Sequence, residues 1–315
     1  MHKLATFVFP PCLTQAPLPR TLAEYTASAD LTEMGADFEQ LALAGTLFDD
    51  ALITTQNAGA LLSCRGGYGA LQRSDMPLRL TRSTRRADIR FACTQAVNLT
   101  RVEQEDYISL IALDRDCHVQ HRVQLGAKSD ISMATSLDRL PHDECTATTS
   151  DPSNVIPFGA IRRARQDWQT SDVGWHLNDF LLLSGHLRFR TLPNVGRNKA
   201  WLVWVGILPS FMTFLSDNAI STTRMVVGDG LIHMDVGALK TAETYGDVVI
   251  VGSGTRRFAL DFKEVRHAWV TCLKGCSQLE LYDDEGSALA IIGTDPYTQV
   301  RGYADVMFAL PALRN

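Results

Sequence analysis

The chain lacks any surplus of positive charge. Its 315 residues carry 30 Lys and Arg against 35 Asp and Glu, a formal net charge of -5. That balance gives no electrostatic basis for nucleic acid or an acidic membrane surface as the main partner. It also lacks an apolar run of the roughly 20 residues a bilayer-spanning helix needs, since Trp201 to Phe214 is short and is broken by Gly206 and Pro209. A brief apolar run at the start is cut by Pro10-Pro11 with no small-residue cleavage site after it, so it reads as a tail or edge strand and not as a secretory signal. Seven cysteines, an odd number scattered along a chain of this size, suit a reducing cytoplasm better than a disulfide framework. A P-loop, a Gly-x-Gly-x-x-Gly after a strand, a Gly-x-Ser-x-Gly and a paired Cys-x-x-Cys are all missing. The common nucleotide, hydrolase and zinc-finger readings therefore find no support.

What is present is a hydrophobic content of 45% with 21% charge, the composition of a globular protein with a real core. The best-patterned stretch is Gly230 to Gly293. Leu231 to Val236, Asp247 to Val251, Arg257 to Lys263, Ala268 to Leu273, Gln278 to Tyr282 and Ala288 to Ile292 are short and rich in β-branched, aromatic and leucine side chains. Gly252-Ser253-Gly254, Lys274-Gly275 and Asp283 to Gly286 punctuate them as turns, which predicts an antiparallel meander.

The chain states this pattern twice. Gly69-Ala70-Leu71-Gln72 echoes Gly237-Ala238-Leu239-Lys240, and Thr84-Arg85-Arg86 with Ile89-Arg90-Phe91 echoes Thr255-Arg256-Arg257 with Leu260-Asp261-Phe262. Ser109 to Asp114 echoes Gln278 to Asp283. Three matches in one order predict an α+β fold made by tandem duplication of a twisted antiparallel sheet with flanking helices. The repeats are expected over 1–128 and 160–315, joined by a linker at 129–159 that is dense in Ser, Thr, Asp and Pro. Helical signals lie in Arg20 to Gly45 and in Ile161 to Phe189, where Gly185 weakens or ends the helix. Trp201 to Leu215 mixes strand and helix, and a closing helix is expected in Tyr303 to Leu313.

The one metal-like spacing is His118-x-x-His121 followed by His142-x-x-Cys145. On a strand the first two side chains face opposite ways, so solvated polar residues are the better account.

The double meander, with Gly-Leu-Ile-His-Met at 230–234, Phe-Ala-Leu-Asp-Phe at 258–262, His-Ala-Trp-Val at 267–270 and Ser-Gln-Leu-Glu-Leu-Tyr-Asp at 277–283, resembles the bacterial cytoplasmic haem-trafficking and hemin-degrading proteins of the HemS and ChuX type. The resemblance runs from about Ala51 to Leu310 and omits the linker. It implies one haem held between two duplicated halves. Its iron ligand is a histidine that follows an acidic-Trp pair and precedes paired leucines. Here Asp167-Trp168, then Asp172-Val173-Gly174-Trp175-His176, then Leu181-Leu182 fit that pattern and make His176 the implied ligand, although Gly174-Trp175 is an insertion and the usual aromatic pair after the histidine is missing. It also implies a distal arginine on a strand of the first half, matched by Arg90 in Ala87-Asp88-Ile89-Arg90-Phe91, with Asp261 at the same place in the second copy. A neutral imidazole suits haem iron, and a guanidinium opposite can hold a water, an oxygen or a propionate. Trp175, Phe180 and Met234 are candidate pocket liners, with His186 and His233 the next candidate ligands.

The expected function is cytoplasmic haem binding, as a carrier, a store or a haem-degrading enzyme in which Arg90 has the catalytic role. The expected partners are haem, a reductase or haem transporter and, across an open strand edge, a second copy. The alternative is a non-catalytic interaction or small-ligand-binding protein that keeps the duplicated scaffold without haem.

Overall fold

The computed structural model describes residues 30–34, 38, 41–42, 48, 50–66, 68–69, 71–73, 78–84, 87–92, 98–104, 107–114, 118–125, 159, 162, 166, 168, 180–181, 185–273, 276–295, 301–310 and 312–313. The first nine strands are β1 (Asp30–Met34), β2 (Ala51–Gln56), β3 (Ala60–Arg65), β4 (Leu71–Arg73), β5 (Leu78–Thr84), β6 (Ala87–Ala92), β7 (Asn98–Gln104), β8 (Tyr107–Leu113) and β9 (Val119–Leu125). Helix α1 (His186–Thr191) leads to β10 (Ala200–Val203) and α2 (Leu208–Asp217). Then come β11 (Ser221–Gly228), β12 (Leu231–Ala238), β13 (Thr241–Tyr245), β14 (Val248–Ser253), β15 (Arg256–Asp261), β16 (His267–Leu273), β17 (Cys276–Tyr282), β18 (Ala288–Thr294) and α3 (Arg301–Ala309).

The strands form two nine-stranded antiparallel sheets, ordered β1-β7-β8-β9-β2-β3-β15-β14-β13 and β10-β16-β17-β18-β11-β12-β6-β5-β4. Exchanging each strand with the one nine places away turns the first order into the second. The expected duplication is therefore present, with one exchange in it: β4 to β6 complete the sheet of the later strands, and β13 to β15 complete that of the earlier ones.

Turns fix which residues correspond. The two-residue turns Ala58-Gly59 and Asp229-Gly230 make Leu61 the equivalent of Ile232 and Leu62 that of His233. The last pairs of two ladders, Gln104 with Tyr107 and Leu273 with Cys276, make Ile111 the equivalent of Glu280, and both copies carry a register shift at the same place, at Ala112/Leu113 and Leu281/Tyr282. The pairs Thr84 with Ala87 and Ser253 with Arg256 align Ala87 with Arg256, and hence Arg90 with Ala259. The sequence pairing of Arg90 with Asp261 is therefore two residues out. The repeated Thr-Arg-Arg straddles hairpins whose closing pairs do not begin at the same letter, and the ladders decide: Arg90 pairs Ile232, and Ala259 pairs that residue's equivalent, Leu61.

The inner faces of the sheets enclose two cores. One gathers Leu208, Phe211 and Met212 of α2 with Phe258 and Leu260 of β15 and Leu279 and Leu281 of β17. The other gathers the helical residues Phe38, Leu41 and Ala42 with Ile53, Ile89, Phe91, Leu110 and Leu231. Arg20 to Gly45 is not one helical lead-in, because Asp30–Met34 pairs as an edge strand with Leu99 to Glu103 of β7, a ladder that overrides local propensity. The closing helix ends at Ala309, and Ala312 beyond it bridges to Val203. Residues 129–158 of the expected linker, and His142 and Cys145 within it, lie outside the described residues. No helix among the described residues is long and apolar enough to cross a membrane.

Between the two cores the halves meet at buried imidazoles. His121 Nδ1 lies 2.8 Å from Thr55 Oγ1 and its Nε2 2.5 Å from the Tyr68 hydroxyl, while His233 Nε2 is 3.2 Å from Cys64 Sγ. Burial first, and the neighbouring His233 second, lower the His121 pKa to about 3. Burial lowers His233 to about 3 as well, outweighing the Leu62 backbone, which acts to raise it. Both are therefore neutral in the folded protein. Below pH 6.5 the unfolded chain takes up protons that the folded one does not, so stability is full above that value and is lost as pH falls toward 3. Urea unfolding between pH 6.5 and 4.5 should show the decline. His233→Leu, which installs the residue found at the equivalent Leu62, should make it shallower by up to about 1.4 kcal/mol per pH unit.

Candidate functional site

The outer face of the second sheet is a strip of Met225 and Val227 on β11, Ile232 on β12 and Ile291 on β18. The helical residues Trp168, Phe180 and Leu181 pack on it and are buried. At its border Met234 and Arg90 are half-buried, where the apolar strip gives way to accessible surface. Arg90 reaches this border because β6 leaves the first half and pairs with β12, which places it beside Ile232. The equivalent face of the first sheet is closed at this point: Ala259 is wholly buried against Leu61, packed with Val248 and Ile250.

The layer over the strip is held by a buried charge pair. Arg188 on α1 donates from Nε to Glu280 Oε2 at 2.8 Å and from Nη2 to Oε1 at 2.5 Å, with the two side chains 2% and 0% exposed. Thr271 Oγ1 donates to Oε1 at 2.5 Å and the Tyr282 hydroxyl to Oε2 at 2.6 Å. Burial pushes the Glu280 carboxyl up, but the Arg188 charge and the bonds from Arg188, Thr271 and Tyr282 outweigh it and hold the pKa below the ordinary value. The guanidinium carbon lies 4.3 Å from the Trp168 ring centre and 5.1 Å from that of Phe180. A helix of six residues has no stability of its own, so α1 exists through these contacts and through Phe189, whose ring lies 5.1 Å from Tyr282.

Of the residues singled out in the sequence, the structure places Arg90, Phe180 and Met234 on or beside this one face. His176 and Trp175 lie outside the described residues. His233 lies on the opposite face of its strand, wholly buried against Cys64, and is removed as a ligand candidate. His186 is half-buried, with Nε2 3.3 Å from Ser287 Oγ. His118 and His121 do not share a site: the first is exposed, 3.3 Å from the Asp114 carboxylate, and the second is internal. A cavity of about 260 Å³ opens where the turns Ala58-Gly59 and Asp229-Gly230 meet, lined in equivalent pairs such as Asp114 with Asp283 and Gln120 with Leu289. It lies below the roughly 300–1,000 Å³ of sites that enclose a drug-sized ligand.

No family model matches the sequence, and no curated protein sequence matches it either. Solved structures do. A heme-binding protein from Pseudomonas aeruginosa, PhuS, superposes in its apo form with a TM-score of 0.75 at 16% identity, covering 90% of this chain and 88% of that one. The chain has the PhuS fold. The holo form of PhuS superposes with a TM-score of 0.74 at the same identity and coverage. The heme degrading enzyme ChuS of Escherichia coli O157:H7 superposes with a TM-score of 0.73 at 16% identity, over 90% of this chain and 87% of that one. Within the PhuS fold, the groups that sequence reading missed are Arg188, Glu280, Thr271 and Tyr282. One signal was available: Glu280 stands between Leu279 and Leu281 in a strand whose echo carries Ile111.

Gly185 ties the helical layer to the sheet. It caps α1 with φ +82°, and a Cβ there would lie 2.8 Å from Ala288 Cβ and 3.0 Å from Phe180 Cδ1. Gly185→Ala should destabilise the protein by about 2–4 kcal/mol, from the left-handed backbone and the clash together. Chemical denaturation measures it.

Proposed function

We propose that the chain binds one haem on the outer face of the second sheet and serves haem transport or utilisation, with His176 as the iron ligand and Arg90 on the opposite side. The observation that carries this is the asymmetry at Arg90. The duplicated scaffold offers two equivalent faces. One has a half-buried arginine and methionine beside an apolar strip, and the other is closed by a buried Ala259. The donor set fits haem: apolar side chains cover a porphyrin face, and a guanidinium pairs with a propionate or holds a distal water. Sharing a fold with proteins described as heme-binding and heme-degrading supports the same reading. Haem, when bound, would supply the iron chemistry, and this chain's residues would bind it, orient it and shield it from water.

The cytoplasm is the proposed location. As a carrier the chain would exchange haem with a transporter partner, and as a haem-degrading enzyme it would need electrons from a reductase. A homodimer would form along an open edge such as β13, where Glu243, Thr244 and Tyr245 are exposed.

Hemin titration followed at the Soret band tests the reading. Saturation is expected at one hemin per chain. His176→Ala should shift the band and weaken binding, and Arg90→Ala should weaken it about 10- to 100-fold, the worth of a charge-assisted contact. A wild-type protein with no saturable Soret change would refute haem binding, and an unchanged spectrum in His176→Ala would move the ligand to another residue. With reductant and air, loss of the Soret band with release of iron marks the degrading enzyme, and a persistent band marks the carrier.

A further inference from the structure

The duplication supplies an internal control for the buried imidazole of His121. Thr55 on β2 pairs Leu62 and His121, and Val226 on β11 pairs His233 and Ala290, so Val226 and Ala290 stand in the second copy where Thr55 and His121 stand in the first. The topology therefore closes with a valine and an alanine at this spot, and nothing in it requires a hydroxyl beside an imidazole. What the first copy builds there is a directed chain of hydrogen bonds. The Tyr68 hydroxyl lies 2.5 Å from His121 Nε2, and Nδ1 on the far side of the ring lies 2.8 Å from Thr55 Oγ1. The phenol is a stronger acid than a neutral imidazole, so Tyr68 donates to Nε2, which leaves the ring proton on Nδ1 and directs it to Thr55. Tyr68 and His121 are both buried, and Phe91 stands edge-on to the imidazole with ring centres 6.3 Å apart, so the chain is made in an apolar setting that strengthens it. Burial first, and the Cys64 thiol second, push the Tyr68 pKa well above its ordinary value, and that of His121 is held down to about 3. At rest the shared proton stays on the phenol oxygen.

We propose that Tyr68 and His121 are a redox-active pair, in which Tyr68 gives up one electron and passes its phenolic proton across the hydrogen bond to His121. An outer-sphere one-electron oxidant takes the electron from the ring, the O–H bond of Tyr68 breaks and an N–H bond forms at His121 Nε2. The products are a neutral tyrosyl radical and an imidazolium, and a one-electron reductant such as a thiol or ascorbate reverses the step and returns the proton. Losing an electron makes the phenol a far stronger acid than an imidazolium, so the proton crosses even to an imidazole that resists protonation through burial. Thr55 accepts from Nδ1 and steadies the charge formed on the ring. The oxidant need not enter the core, since an electron tunnels through packed side chains while the proton moves only along the short bond. The pair draws an oxidising equivalent inward from exposed rings such as Trp204 and Tyr245 and holds it until a reductant arrives. This role is independent of haem.

The test is photo-oxidation of the full chain, without hemin, by an excited ruthenium tris-bipyridine complex with a sacrificial electron acceptor, frozen at once and read by electron paramagnetic resonance. The wild type should give the signal of a neutral tyrosyl radical. Tyr68→Phe should lose that signal. His121→Gln, whose amide accepts a hydrogen bond but does not hold a proton, should lose it too although Tyr68 is still present, and circular dichroism should show both variants folded. A wild-type protein that gives no tyrosyl signal, or a signal undiminished in either variant, overturns the assignment. So does oxidation that ends on the Cys64 thiol while Tyr68 gives no radical. Should either variant not fold, Thr55→Val, which installs the residue of the second copy, carries the comparison: a radical that decays faster than in the wild type supports the pair, and an unchanged decay overturns it. Hemin uptake is measured separately, so failure of the pair and failure of haem binding are read apart.

Discussion

The structure depends on two ladders, β3 with β15 and β12 with β6. Through them each sheet becomes continuous across the two halves, and neither half completes a sheet by itself. The inner cores follow from this. Phe258 and Leu260 cross to join Ala60 and Leu62, and Ile89 and Phe91 cross to join Leu231, so each core is sealed by a hairpin from the other half. Arg90 also owes its place to the exchange, because a β6 retained by its own half would not lie beside Ile232.

On this symmetric frame the two copies differ at a few buried side chains. The inner faces differ by a few buried polar groups, the ion pair of Arg224 with Asp235 standing where the first copy has Ile53 and Cys64, and the outer faces differ as well. The second sheet exchanges an aliphatic cluster for Thr271, Glu280 and Tyr282 around Arg188, and keeps an arginine where the first sheet has alanine. An outer face covered by a separate helical layer tolerates such changes as long as every buried polar atom of the network finds a partner.

Much of this was legible in the chain. The duplication, the strands between Leu231 and Thr294 and the placing of Arg90 on a strand of the first half all rest on local signals, glycine turns, alternation and repeated words, but the single meander expected there is divided, since β13 to β15 belong to the other sheet from β12 and β16 to β18. The edge strand Asp30–Met34 was not legible, because its partner β7 lies far along the chain and its own residues favour no strand. The equivalence of Arg90 with Ala259 was hidden for a related reason: word matching follows letters, while register is set by the closing pair of each hairpin. Arg188 looked like an ordinary helix residue, since a bidentate bond to a carboxylate 92 positions away leaves no trace in spacing. His176 remains a reading of the sequence.

The strand exchange has a consequence for history and for engineering. Two copies of the ancestral unit, before their fusion, could have satisfied the same ladders between separate chains, so the present molecule is an intertwined dimer closed by a covalent tether. Once tethered, the copies no longer had to share every substitution. A dimer of identical chains would carry the arginine on both outer faces or on neither. The fused chain can keep it on one and shut the other, as Arg90 and Ala259 do here.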